Sequence, residues 1–470
     1  MAFETLFDKE LTMIVTMGRV FVKIFFVLMM ITSHASADSL ADVLRDAYHN
    51  SGLLDQNRAL LRAADEDVAQ SLAALRTVVT WQAQAIYSTS SLSPTGGSFQ
   101  DDLDGAITVT ANLLIHDGGE SALSTEVQKE LVLQTRENLT QAEQEVLFRA
   151  VDAFMDVRRQ SEFLALRRSN VGVIAQELHA AQDRFEVGEV TRTDVALAEA
   201  RRAAAQSLLA SAEGALVQAN EEFRAAVGRV PGLLDDVNPA TLNQDIEEAR
   251  AIAVRRHPVV IGAQHGVSAA ELNVRRAEAA LNPELNLTGT VGFTDQRESN
   301  QRLGLTYGGT IYQGGQLQSI IRQAQASRDS SRASLLISTQ SVSQNVGNAY
   351  AIFRVAQASL ESSNLQVLAA QTAFRGVREE ATLGARTTLD VLNAEQELLD
   401  AKANTISAQA DEVVASYRVL ATMGLLTASH LNLGVQSYDP TSYYNLVREA
   451  PATFSKQGQE LDRILRSIGD

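Results

Sequence analysis

Cysteine is missing from all 470 residues of this chain. Its absence excludes disulfide bonds, thiolate metal sites and cysteine nucleophiles. It also excludes the attachment of a lipid to an N-terminal cysteine. Covalent cross-links and thiol chemistry therefore play no part in this protein.

The chain has no excess of basic residues. Forty lysines and arginines stand against 57 aspartates and glutamates, and the formal net charge of −17 argues against a nucleic-acid partner. Aromatic residues make up only 5% of the sequence, whereas hydrophobic residues as a whole reach 45%. This composition predicts an ordered protein and favours long helices that pack closely through small side chains.

Long apolar runs are absent beyond the N-terminus. There, Arg19 and Lys23 precede the apolar stretch 24–31, and the sequence Ala35-Ser36-Ala37 has the small-x-small pattern of a signal cleavage site. A membrane anchor is the alternative, but the run is far shorter than the roughly 20 residues that a spanning helix needs. We therefore expect residues 1–37 to be a signal peptide, cleaved between Ala37 and Asp38, and the mature protein to leave the cytoplasm.

Patterns typical of enzymes are lacking too. No histidine belongs to an HExxH pair, no glycine-rich loop resembles a phosphate cradle, and no spacing assembles a catalytic triad. The sequence therefore predicts no enzyme, no cofactor and no metal site. The histidines considered are His34, His49, His116, His179, His257, His265 and His430.

What the chain does contain is a duplication. The stretch "RFEVGEVTRTDVALAEAR" at 184–201 and the stretch "EEATLGARTTLDVLNAEQ" at 379–396 have a glycine, a threonine, an aspartate, a valine and a glutamate in common at a constant offset of 196. The same offset relates the glycine pair in "HDGGE" (116–120) to the pair in "YQGGQ" (312–316). A period this long indicates a duplicated domain rather than a short solenoid repeat. The matched pairs are Gly188 and Gly384, Thr191 and Thr387, Asp194 and Asp390, Val195 and Val391, Glu199 and Glu395, Gly118 and Gly314, and Gly119 and Gly315.

Each copy contains two segments in which apolar and polar residues alternate. They span 78–89 and 105–116 in the first copy and 284–294 and 301–312 in the second. Period-two alternation predicts strands with one apolar face, and about 10–12 residues suffice for a tilted strand to cross a bilayer. A soluble sheet resting on a core has the same alternation. Since four strands cannot close a barrel, a membrane location requires two or three copies to share one wall.

Two stretches without proline predict very long helices, 120–186 and 316–383. Each is followed by a predicted return helix, 193–227 or 388–422. A continuous helix of 67 residues would reach about 100 Å and implies coiled-coil-like packing. We therefore divide the mature chain into repeat 1 (38–230), repeat 2 (231–430) and a C-terminal segment and tail (431–470).

The duplicated corner has a purely structural explanation. Gly188 and Gly384 can adopt positive φ and end the long helices. Thr191 and Thr387 are suitable N-caps for the return helices, and an aspartate in the first turn interacts favourably with the helix dipole. On this interpretation the corners are two helical hairpins and nothing more.

The ordered duplication of these motifs nevertheless resembles the TolC outer-membrane factor family. The segment "YDPTSYYNLV" at 438–447 is similar to the tail of its type I secretion branch. The resemblance implies a mainly α fold with membrane β: three copies form one 12-stranded β-barrel in the outer membrane, above a trimeric α-barrel tunnel of long antiparallel coiled-coil helices. A belt around the tunnel is expected at residues 228–250 and in the C-terminal segment.

The same resemblance assigns roles at the periplasmic tip, where the corners would close the tunnel. Thr193 and Asp194 match positions that link one hairpin to its neighbour, and Arg386 matches their basic partner. Asp390 matches an acidic ring in the pore. Two positions depart from the family pattern: Ala381 replaces a tyrosine of the linking network, and Asn393 replaces a second acidic ring.

The function implied is a conduit from an inner-membrane transporter across the periplasm and the outer membrane, for type I secretion or efflux. Its expected partners are two further copies of the chain, a periplasmic adaptor protein, an ABC or proton-driven inner-membrane transporter, and outer-membrane lipid. A periplasmic coiled-coil adaptor or structural protein is the alternative. It would keep the long helices but would not need four strands of bilayer length.

Overall fold

The computed structural model describes residues 37–91, 99–294, 299–452 and 455–469, so most of the predicted signal peptide lies outside the described residues. The first copy contains four helices and two strands. In chain order they are α1 Leu40–Asn50, α2 Gly52–Ala73, β1 Val78–Ser91, β2 Phe99–His116, α3 Glu120–Glu186 and α4 Arg192–Val227.

The second copy repeats this order, and two shorter helices follow it. Its elements are α5 Ile246–Arg256, α6 Pro258–Ala279, β3 Glu284–Thr294, β4 Ser299–Gly308, α7 Gln316–Thr382 and α8 Thr388–Thr422, and the C-terminal helices are α9 Pro440–Val447 and α10 Lys456–Gly469. In both copies the helix before the first strand is interrupted. Ser51 caps the second part in the first copy, and Pro258 occupies its first turn in the second.

The four strands form one antiparallel sheet in the order β1-β2-β3-β4. The two copies therefore meet between β2 and β3, where Val109 lies opposite Val291. Among strand residues whose side chains the structure describes, none is buried. Trp81 is 76% exposed and Leu303 is 78% exposed. The sheet thus does not rest on a core within this chain, as the soluble alternative required.

Four strand boundaries differ from the sequence-based prediction. Two differ by only two residues, since β1 ends at Ser91 rather than 89 and β4 begins at Ser299 rather than 301. β2 begins at Phe99 rather than 105. β4 ends at Gly308 rather than 312, so the strand leaves out Ile311 and Tyr312. The last pair of the β3–β4 ladder is Gly308 with Glu284. The next pair would need Pro283, which has no N–H to donate, so the ladder stops there.

The two long helices are continuous, as predicted. Each has 67 residues, which corresponds to about 100 Å of helix. Helix α4 folds back along α3, helix α8 folds back along α7, and α8 also packs on α3. The largest apolar core lies where α1, α3, α4 and α8 meet around Leu147, Phe154 and Phe223. None of the helices in the described part of the chain is both long and apolar enough to cross a membrane.

The C-terminal segment packs against repeat 1. Helix α9 lies on α2, where the Tyr443 hydroxyl donates a 2.7 Å hydrogen bond to Glu66. Tyr444 stacks under the guanidinium of Arg136 on α3 at 5.5 Å. The tail motif at 438–447 therefore uses its aromatic residues to attach the C-terminal segment to repeat 1. The expected belt and the repeat boundaries remain predictions.

Candidate functional site

The candidate site is the pair of corners that join each long helix to its return helix. Gly188 has φ of +80° and Gly384 has φ of +77°, values that favour glycine because it has no Cβ. In both corners an amide beyond the glycine bonds a carbonyl five residues back, from Glu189 to Arg184 at 2.9 Å and from Ala385 to Glu380 at 2.9 Å. These bonds satisfy the last carbonyls of the long helices and end them.

Reciprocal capping boxes begin the return helices. The Thr191 amide donates to the Asp194 carboxylate at 2.9 Å, and the Asp194 amide donates to the Thr191 hydroxyl oxygen at 3.4 Å. Thr387 and Asp390 repeat the arrangement at 3.0 and 3.2 Å. Each box satisfies two backbone donors that the helix start would leave free. The predicted helix stops and N-caps are thus present in both copies.

The same hydrogen bonds keep both aspartates ionised. The Thr191 hydroxyl and amide lower the pKa of Asp194. The amide and hydroxyl of Thr387 lower the pKa of Asp390, with a smaller contribution from the Arg386 guanidinium. Asp194 and Asp390 are therefore fixed negative charges at the two corners.

Arg386 does not bond Asp194 within one chain. Its Nε donates to the Glu380 carboxylate at 2.8 Å, inside its own corner. Arg386 and Asp194 nevertheless line one open crevice of about 560 Å³ between the two corners. Thr193 is exposed, and Ala381 is buried. The predicted link through Thr193, Asp194 and Arg386 would have to join different copies, and it remains a prediction.

Asn393 takes part in a contact between the two hairpins. Its side-chain oxygen accepts a 3.3 Å hydrogen bond from Arg201 on α4. A carboxylate is absent at this position, so Asp390 is the ionised group that remains for a pore ring. Its role there also remains a prediction.

Sequence reasoning missed a buried link just above the corners. The Asn170 amide on α3 donates a 2.9 Å hydrogen bond to Glu395 Oε1 on α8, and both side chains are 6% exposed. The second oxygen, Oε2, is buried without a partner. Burial raises the pKa of Glu395 to about 7, opposed by the Asn170 hydrogen bond. The signal was available, because Glu395 is one of the residues that the duplication repeats.

The glycine pairs lie between the strands and the long helices, as predicted. Gly119 and Gly315 are N-caps with φ of +92° and +84°. A Cβ on Gly118 would stand 2.4 Å from Asn282, so this position has no room for a side chain. Gly314 also has positive φ. These residues turn the chain sharply out of the sheet and into the long helices.

The predicted cleavage site borders the described residues. Asp38 accepts hydrogen bonds from Arg229 at 2.7 Å and from the amide of Gly232 at 3.1 Å, so the expected first residue of the mature chain is fixed beside the end of α4. Cleavage after Ala37 remains a prediction. Within the described parts of the chain, no group of three or more histidine, aspartate or glutamate side chains could hold a metal ion.

Comparison with known families explains this architecture. The profile of the outer membrane efflux protein family matches residues 43–229 and 251–425, which is most of both copies. The chain belongs to this family. It is also 33% identical over 423 residues to the outer membrane efflux protein BepC of Brucella suis biovar 1 (strain 1330), covering 88% of this chain and 91% of that protein.

A more distant relative and a solved structure are consistent with this family. The outer membrane protein TolC of Salmonella enteritidis is 24% identical over 335 residues, which cover 66% of this chain and 67% of TolC. The crystal structure of the Campylobacter jejuni CmeC outer membrane channel superposes with a TM-score of 0.74 at 14% identity, covering 88% of this chain and 90% of CmeC. The expected family and fold are therefore confirmed. This family member is an outer-membrane channel protein that extends into the periplasm, and the adaptor alternative is not supported.

Proposed function

We propose that three copies of this chain form one conduit that receives its cargo from an inner-membrane transporter through a periplasmic adaptor. The observation that carries the proposal is the incompleteness of the single chain. Many large apolar side chains of its four strands are exposed, and among the described residues β1 and β4 are the end strands of the sheet. Backbone groups at sheet edges cost several kcal/mol each in lipid unless another strand pairs with them. Neighbouring copies would supply those strands.

The helical part supports the same assembly. Helix α3 has eighteen buried residues and helix α7, of equal length, has eight. Helix α4 has five and helix α8 has fourteen. One face of α7 and one face of α4 thus lack a partner inside the chain, as expected for a wall segment that continues into its neighbours.

The corners would then form the periplasmic gate. Six corners from three chains would surround one opening, with Thr193, Asp194 and Arg386 linking neighbours and Asp390 facing the pore. An exposed ion pair is worth about 0.2–1 kcal/mol, so three related links would hold the tip closed by only a few kcal/mol. Differential binding by the adaptor could shift a barrier of this size. Nothing in this arrangement calls for a chemical reaction, and we propose a transport role without catalysis.

The test is assembly and conduction by the purified mature protein. We expect outer-membrane fractions to contain an oligomer of three chains that dissociates on boiling before denaturing electrophoresis. In planar bilayers the trimer should conduct ions, and its conductance should increase when the cognate adaptor binds. A water-soluble monomer, or a membrane protein that does not conduct, would contradict the proposal.

A further inference from the structure

Because the chain is duplicated, each contact between the two copies predicts a corresponding contact. One such contact, between α3 and α8, has a counterpart that is not made within a single chain. Inside the chain, α8 of repeat 2 covers one face of α3 of repeat 1. At the offset of 196, α3 corresponds to α7 and α8 corresponds to α4. The equivalent face of α7 therefore requires the α4 helix of another copy of the chain. The contact between α3 and α8 shows which residues should meet there.

The buried link above the corners has a complete counterpart. Asn170 corresponds to Gln366, and both side chains are carboxamides; Glu395 corresponds to Glu199, and both are carboxylates. Within one chain Asn170 and Glu395 are buried together, whereas Gln366 and Glu199 are both exposed. A donor and an acceptor have thus been kept at two positions that have no partner inside the chain.

In two further contacts between α3 and α8, both residues are replaced at the corresponding positions of α7 and α4. Arg159 on α3 bridges Asp411 on α8 at 3.4 Å. The corresponding residues are Val355, which is 67% exposed, and Ala215. Replacing both charges together leaves no unpaired charge in the contact, as a genuine pair requires.

The apolar contact nearest the corners changes in a compensating way. Leu178 and Leu392 pack in one apolar cluster. Their counterparts are Phe374 and Ala196, a larger and a smaller residue. Swaps that conserve total volume are the ones that packed interfaces tolerate best. All three contacts therefore have a matched counterpart between α7 and α4.

We propose that α4 of one copy packs on α7 of the next copy in this register, and that the Gln366 amide of one copy donates a hydrogen bond to the Glu199 carboxylate of its neighbour. This pairing rests on the proposed assembly of three copies. It yields six carboxamide–carboxylate links in one ring just above the tip, three within chains and three between them. The partner of the free face of α7 is thus a second copy of this chain.

Cross-linking can test the pairing cleanly because the chain has no cysteine. We expect the double variant Glu199→Cys with Gln366→Cys, treated in outer membranes with a short bifunctional maleimide, to give covalent dimers and trimers on denaturing gels. In the matched variant Asn170→Cys with Glu395→Cys, the maleimide should react with both thiols within one chain, so the protein should remain at monomer mass. The register control Glu199→Cys with Ser362→Cys, one helical turn away, should link less than the Gln366 pair.

Unlinked trimers from the Glu199→Cys/Gln366→Cys variant, or stronger linking at Ser362, would overturn the register while leaving the proposed function intact. An unmodified protein without any trimer would overturn both. If the double variant fails to assemble, two single variants test the hydrogen bond instead. Glu199→Ala should lower the temperature at which trimers dissociate on gels by several degrees, whereas Glu199→Gln should retain most of the parent value. Equal behaviour of Ala and Gln would contradict the hydrogen bond.

Discussion

The two corners of this chain have the same backbone and different charges. Both have a glycine with positive φ, a threonine N-cap and an aspartate in the first turn. Around them, Arg184 and Val190 of the first corner correspond to Glu380 and Arg386 of the second. Positions that the turn requires have thus been kept in both copies, because they satisfy backbone groups at the helix ends. Positions that face outwards were free to diverge, and they distinguish the corners at the tip.

The largest effect should come from Arg386→Ala. If Arg386 links neighbouring copies, its loss should raise the ratio of open to closed tips by about threefold to a hundredfold, since three exposed links are removed. Conductance in planar bilayers measures this change. Val190→Ala at the equivalent position of the first corner should have no effect.

A second variant separates the two partners of Arg386. Glu380→Gln removes the negative charge from the 2.8 Å bond inside the corner and leaves Arg386 in place. We expect its conductance to match that of the parent protein. Unchanged conductance in Arg386→Ala, or opening by Glu380→Gln alone, would show that the gate is not held by a link between copies.

The buried link predicts a pH effect confined to the seam between α3 and α8. The pKa of Glu395 is about 7 in the folded protein, against an ordinary value of 4.5, so the folded state binds the proton more tightly. Stability should therefore fall as pH rises from about 4.5 to 7, and the full cost, on the order of 3 kcal/mol, should be present above pH 7. Glu177 on α3 adds to the shift and Arg378 on α7 opposes it.

Glu395→Gln tests this effect because it keeps the acceptor for Asn170 and removes the charge. Amide hydrogen exchange near Asn170 should be faster at pH 8 than at pH 5 in the parent protein, after correction for the intrinsic exchange rate. The variant should lose this difference. Glu213→Gln, at an exposed position on α4, is the control that should retain it. A persistent difference in Glu395→Gln would assign the effect to another group.

The two capping boxes should stabilise the first turns of α4 and α8 equally. Thr191→Ala and Thr387→Ala should each destabilise the first turn of the following helix by about 1 kcal/mol, the usual value of an N-cap. Hydrogen exchange of the amides at Asp194 and Asp390 reports both turns in one experiment. A clearly larger effect in one corner would show that its threonine does more than cap.

The smallest expected effect is on the block of conductance by divalent cations, and it should distinguish Asp390 from Asp194. If Asp390 forms an acidic ring, Asp390→Asn should weaken the block of conductance by divalent cations several-fold, because three facing carboxylates attract them. Asp194→Asn should leave the block unchanged, since Asp194 is expected to face a neighbouring hairpin. Equal block in both variants and in the parent protein would remove Asp390 from this role.

Sequence patterns predicted the elements well and their contacts less well. The absence of proline and the glycine at each corner are local signals, so both 67-residue helices were found almost to the residue. The start of β2 and the end of β4 were misplaced because strand ends depend on the pairing partner. The β3–β4 ladder, for example, stops where Gly308 pairs with Glu284, and Gly309 beyond it lies against Pro283. The Asn170–Glu395 link was missed because its residues are 225 positions apart in the chain.

The sequence by itself determined the duplication, the capped corners, the helix lengths and the strand alternation, since each depends on neighbours a few residues apart along the chain. Only the tertiary structure decided that Arg386 bonds Glu380, that Asn393 accepts from Arg201, and that Glu395 is buried while its twin Glu199 is exposed. These outcomes depend on which helix faces which. Two copies of one motif acquire different surroundings because one lies inside the chain's own fold and the other lies at its edge.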